Sequence, residues 1–158
     1  MSRGPIAQPV SIIATDEIHL PHTPAEVYAV LRDFVGYPRW WPWPVRVRVL
    51  EQVAGGVGTN LEIRPFGGQP FECRVEAMEE PHRIRMIYHR GLVRGRAEWV
   101  VRPEGGGAGV AYELEARGEA FLVRLAARVV SLRAIHSWQM RGVLRGLRRE
   151  LAARATTG

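Results

Sequence analysis

Two periods of hydrophobic spacing divide this chain. Residues 11–20, "SIIATDEIHL", are rich in β-branched side chains, alternate, and end at Pro21, which predicts a strand. In "HTPAEVYAVLRDF", Thr23 is placed to cap a helix, Pro24 to occupy its first position and Glu26 to close a capping box. Val27, Val30, Leu31 and Phe34 share one face of that helix, which should stop near Gly36 and Pro38. Alternation then returns over 45–53, 59–66, 70–79, 83–90, 92–102 and 109–117, between short connections rich in Gly, Pro and Glu. Hairpin-length connections predict an antiparallel meander. From Glu119 to about Arg154 there is no proline, and Phe121, Leu125, Val129, Leu132, His136, Met140, Val143, Leu147 and Leu151 recur every three or four residues. That stripe predicts one long helix, with Gly142 and Gly146 as points of bending or close approach.

One strand, a helical segment, six more strands and a final helix make an α+β protein. Its seven-stranded antiparallel sheet should curve around the helix, because sheets twist. Residues 11–154 read as a single domain and residues 1–10 as a flexible N-terminus.

Strand alternation assigns the faces. Phe71, Cys73, Val75 and Ala77 should point inward, with Ile84, Met86 and Tyr88, with Gly95, Ala97 and Trp99, and with Tyr112, Leu114 and Ala116. The charged alternates should pair across the outer face as Arg–Glu contacts. Small inward residues serve close packing or leave room for a ligand, and spacing does not separate the two. His136 and Met140 lie on the apolar stripe of the helix, where His136 is a core histidine or a polar handle inside a pocket. Tyr88 and Tyr112 share that ambiguity, since a buried phenol needs a partner. Asp16 could share a face with Ile18, its orientation left open.

"DFVGYPRWWPWPVR", residues 33–46, carries three of the chain's five tryptophans among prolines that forbid a long helix or a central strand. It reads as a rigid aromatic wall. The formal charge is +6, and all 22 basic residues are arginine. A coding bias explains the missing lysine, and the charge favours anionic partners only weakly. Arg141, Arg145, Arg148 and Arg149 fall on the polar side of the last helix. Cys73 is the single cysteine, so no intramolecular disulfide forms, and the expected location is the cytoplasm. No apolar run is long enough to span a bilayer. The histidines lack zinc-site spacing, and no nucleophile elbow or phosphate-binding fingerprint occurs. No metal or cofactor is expected.

The order of elements, with "IHLPHTPAEVYAVLRDFVGYPRWWPWPVRV" (18–48), the glycine turn 56–58, "GRAEWVVRPEGGGAGVAYELE" (95–115) and the Arg-Leu-rich last helix, resembles the START-like, Bet v 1-like (SRPBCC) superfamily. Within it the chain is most similar to the polyketide cyclase/dehydrase branch. The resemblance implies a helix-grip fold, with two short helices after the first strand and an apolar cavity between the sheet and the C-terminal helix. It implies a hydrophobic ligand: a lipid, polyketide, quinone or other aromatic molecule. The alternatives are a polyketide aromatase/cyclase-type enzyme that polarises a carbonyl, and a macromolecule-binding module acting on ribosomes, RNA or membranes. No catalytic residue of the family's enzymes matches a position here. The candidate ligand-binding residues are Trp40, Trp41, Phe71, Met86 and Tyr88, together with Trp99, Tyr112, His136 and Met140. A specific nucleic-acid partner is not expected, and the chain is read as a monomer or homodimer.

Overall fold

The computed structural model describes residues 10–65, 68–91, 93–118 and 131–158. The alternating segment at the start is β1 (Val10–Leu20). Of the N-terminal segment expected to be flexible, Val10 belongs to this strand and the rest lies outside the described residues. Next comes α1 (Pro24–Arg32), and its capping box forms as read: the Thr23 side chain accepts from the Glu26 N–H, and the Glu26 carboxylate accepts from the Thr23 N–H. A single 3-10 turn (Phe34–Gly36) and α2 (Tyr37–Trp40) follow. The meander is β2 (Arg46–Glu51), β3 (Asn60–Arg64), β4 (Phe71–Glu79), β5 (Arg83–Arg90), β6 (Val93–Glu104) and β7 (Gly107–Gly118). The last element is α3 (Leu132–Ala155).

The strands form one antiparallel seven-stranded sheet in the order β1-β7-β6-β5-β4-β3-β2. Hairpins generate every neighbour except β1, which returns to pair with β7 over its whole length. With α3 packed against β1, α1 and α2, the arrangement is the expected α+β helix-grip fold. The inward alternates form the core, among them Leu61, Val75, Ile84, Ala97, Trp99 and Leu147. The outer face carries the predicted cross-strand pairs, including Arg96–Glu115 at 3.0 Å and Arg85–Glu98 at 3.3 Å. The Arg96–Glu115 side chains are substantially exposed, so that pair stabilises by only a few tenths of a kcal/mol.

Two expectations need correction. The final helix does not run unbroken through residue 131. Ser131 has extended backbone and its side chain accepts from the Ala134 N–H, so α3 starts afresh there, because a serine oxygen satisfies a free N–H of the first turn. Residues 119–130, the first part of the predicted helix, lie outside the described residues. Ala77 does not share the inward face of β4. The ladder shifts between Val75 and Ala77, so Ala77 pairs with Arg85 while Met78 pairs with inward Ile84. The extra residue reverses the alternation beyond it, which strict period-two reading cannot anticipate. The small size of Gly95, which spacing left open between close packing and ligand room, answers to the neighbouring backbone. This residue sits at φ +146°, and a Cβ on it would run into the Glu115 carbonyl and the Ala116 Cα of β7. Close strand approach explains this glycine.

The helix glycines do mark close approach. A Cβ on Gly146 would strike the Trp40 carbonyl oxygen, and one on Gly142 would come within 3.1 Å of Pro42. The exit of α2 therefore lies directly on the small-residue stripe of α3. Charge closes the same junction. Arg154 reaches Asp33 and Glu150, both at 3.1 Å, and Arg39 reaches the same two carboxylates at 3.1 and 3.3 Å. Burial raises the pKa of Asp33, but donation from Arg39, Arg154 and the Gly36 N–H outweighs it and holds the carboxyl below its usual range.

Candidate functional site

Three neighbouring strands set one row of inward side chains. Asp16 of β1 lies opposite Tyr112 of β7, and Tyr112 opposite Trp99 of β6. The Trp99 and Tyr112 rings meet edge to face with centroids 4.7 Å apart. Tyr88 of β5 reaches the same place from further along the sheet, and its hydroxyl lies 2.6 Å from the Tyr112 hydroxyl. Between these strands β6 presents Gly95 and Ala97, which raise no side chain larger than a methyl. Phe71 of β4 extends the line, its ring centroid 4.8 Å from that of Tyr88. From α3, His136 faces Tyr112 at a centroid distance of 6.0 Å. Phe71, Tyr88, Tyr112, Trp99 and His136 thus form one continuous aromatic line across the inner surface. Met86 and Met140 are also buried in this core.

The polar atoms along the line are unequally satisfied. Tyr88 and Tyr112 satisfy each other. Their phenols are pushed well above the ordinary tyrosine value, chiefly by burial, so both stay protonated at neutral pH. Tyr37 is equally buried, and it donates to the Leu31 carbonyl at 2.6 Å. Burial pushes the Cys73 thiol up to about 12, which makes it an inert core group. His136 Nε2 lies 3.6 Å from Asp16 Oδ2, beyond hydrogen-bond reach, and neither atom has another hydrogen-bond partner among the described residues. Burial lowers the His136 pKa and the Asp16 carboxylate only partly offsets that, so the ring is neutral at pH 7.

Trp40 and Trp41 stand apart from this line. Trp41 stacks on Tyr37, and Trp40 meets the same ring edge to face. Trp40 is 3% exposed and belongs to the core, Trp41 is half-buried, and Trp43 is 77% exposed. The aromatic wall is thus graded, one indole sealing the core beside α3 and one facing solvent. On the polar side of α3, Arg141, Arg145, Arg148 and Arg149 are exposed, and Arg148 donates to the His19 carbonyl at 3.2 Å.

Two surface concavities among the described residues border none of the candidate ligand-binding residues. One, of about 220 Å³, lies on the outer face around Ile13, Arg96 and Glu113. The other, of about 300 Å³, lies between Asp33, Gly56 and Met78. Neither is the expected cavity between the sheet and the C-terminal helix, and residues 119–130, the first part of that predicted helix, lie outside the described residues. No group of residues suited to a metal occurs among the described residues, and no described helix is long and apolar enough to cross a membrane.

Sequence reasoning missed Tyr37 as a member of the buried polar set and left the orientation of Asp16 open. Asp16 was legible in principle: alternation from Ile12 through Ala14 to Ile18 and Leu20 places it on the inner face.

Solved structures with the same fold include a protein from Thermus thermophilus, 20% identical, with a TM-score of 0.73 over 90% of this chain and 99% of that one. A norcoclaurine synthase from Thalictrum flavum, solved with a transition-state analogue, is 12% identical, with a TM-score of 0.70 over 94% of this chain and 99% of that one. A START superfamily protein from Mycobacterium smegmatis is 13% identical, with a TM-score of 0.70 over 89% of this chain and 97% of that one. At such identities the likeness shows the fold alone. Among curated proteins none matches the chain. The family model described as polyketide cyclase / dehydrase and lipid transport matches residues 11–152, nearly the whole of the sheet and helix just described, and the chain belongs to that family.

Proposed function

We propose that this protein binds a hydrophobic small molecule, of the lipid, polyketide, quinone or aromatic class, between the inner face of the sheet and α3. The observation that carries the reading is the aromatic line from Phe71 through Tyr88 and Tyr112 to Trp99 and His136. It offers wide apolar faces punctuated by a few polar groups, the composition of a small-molecule site. Family membership supports the same class of ligand. Met86 and Met140 would supply adaptable lining, and Trp41 the rim.

A second reading, an aromatase/cyclase-type enzyme, draws on the phenol pair. One hydroxyl donates to the other, which leaves the acceptor's own proton to polarise a ligand carbonyl. The two readings share one site and differ only in whether the ligand leaves unchanged.

The test is calorimetric titration with a fatty acid, a quinone and a naphthalene-based aromatic, followed by mass spectrometry of each ligand after incubation. We expect one-to-one binding of at least one class, weakened at least tenfold by Tyr112→Ala in a variant that still melts cooperatively. Absence of binding by all three classes would sink the proposal, and a chemically altered ligand would move the assignment to the cyclase reading.

A further inference from the structure

We infer that Asp16 and His136 form the polar end of this site and hold a hydroxyl group of the ligand, which assigns the ligand to hydroxylated apolar molecules such as phenols, enols or alcohols. The inference rests on the proposed binding function and narrows its ligand class.

The argument starts from what is unsatisfied. Asp16 Oδ2 and His136 Nε2 are both buried, and neither has a hydrogen-bond partner among the described residues. Their side chains retain only 10% and 17% exposure. Unpaired polar atoms at such sites destabilise the free protein, so a partner that satisfies both is strongly favoured. The pair is 3.6 Å apart, too far for a direct hydrogen bond. An oxygen at ~2.8 Å from each atom fits that separation.

The chemistry of the two atoms then selects the group. A carboxylate oxygen only accepts. The Asp16 oxygen 3.6 Å away disfavours a lone pair on Nε2, so the neutral imidazole carries its proton there and donates. A group between them must therefore donate to Asp16 and accept from His136 through one atom, and a hydroxyl does both. A ketone or ether oxygen cannot donate and would face the carboxylate lone pairs. A ligand carboxylate would bring a second negative charge against Asp16. The neighbouring Tyr112 ring, opposite Asp16 in the sheet and 6.0 Å from His136, supplies the apolar face on which the hydroxylated end would rest. The Tyr88 and Tyr112 hydroxyls are already paired with each other.

Two probes of one shape test this: 2-naphthol and 2-methoxynaphthalene, titrated calorimetrically at pH 7.5 into the wild-type chain and into Asp16→Leu. We expect the naphthol to bind the wild type at least tenfold more tightly, although the ether is the more apolar molecule. In Asp16→Leu that order should reverse. Equal affinities, or a wild type that prefers the ether, would overturn the inference while leaving the hydrophobic-binding reading intact. Failure of both probes would overturn the inference, and the fatty-acid and quinone titrations would then decide the binding reading separately. Should Asp16→Leu not fold, the wild-type ratio still decides, and His136→Leu provides the second variant. A naphthol preference that persists in a folded variant would show that another group holds the hydroxyl.

Discussion

The buried phenol pair allows a sharp energetic test. Tyr88→Phe deletes one hydroxyl and leaves the other, on Tyr112, in a core position where it is 2% exposed. The remaining hydroxyl has lost its partner and has no access to bulk water, which costs about 1–3 kcal/mol. Tyr112→Phe should cost a similar amount for the mirrored reason. The double variant removes both polar groups and keeps both rings, so it leaves nothing unsatisfied. It should be less destabilised than either single variant, and the sum of the singles should exceed it by about 2 kcal/mol or more. Against a total stability of about 5–15 kcal/mol these shifts are large. Urea denaturation at pH 7.5, followed by circular dichroism, measures all four chains, and both phenols are protonated there because burial raises them. If the double variant's loss equals the sum of the singles within about 0.5 kcal/mol, the hydroxyls act independently and the reasoning fails.

Trp40→Ala should cost about 3–5 kcal/mol, because that indole seals the core, whereas exposed Trp43→Ala should stay within about 0.5 kcal/mol of the wild type; chemical denaturation of the two variants separates them. Gly146→Ala should destabilise by about 1–3 kcal/mol despite the better helix propensity of alanine, since the new methyl meets the Trp40 backbone carbonyl; an unchanged melting midpoint would show that α2 is not pinned on α3. Stability should fall between pH 7.5 and 5 through His136. Its folded pKa lies below the unfolded value of about 6.5, so the unfolded chain binds the extra proton first as pH drops through that window, and the contribution is complete only above it. His136→Leu should flatten this part of the profile, and identical urea midpoints against pH for the two chains would refute the assignment.

The elements of this fold are written locally. Thr23, Pro24 and Glu26 start α1 because their side chains act on backbone groups within one turn. Alternation exposes the inner and outer faces of each strand because successive side chains point oppositely. The short connections then leave an antiparallel meander as the simplest topology. What required the tertiary structure was every feature set by a partner distant in sequence. The bulge at Glu76 depends on how β4 meets β5, so Ala77 and Met78 exchange faces without a local signal. Gly95 is small because the β7 backbone crowds it, and Gly146 because the Trp40 carbonyl rests on it. The candidate site has the same character. Tyr88, Tyr112 and His136 could be nominated as inward polar groups, but which of them share a proton and which remain unsatisfied is a matter of tenths of an ångström across strands. Asp16 was an acid on an apolar strand until β1 paired with β7 and α3 brought His136 to within 3.6 Å of it. Hydrophobic period is a property of neighbours in the chain, whereas hydrogen-bond satisfaction is a property of neighbours in space.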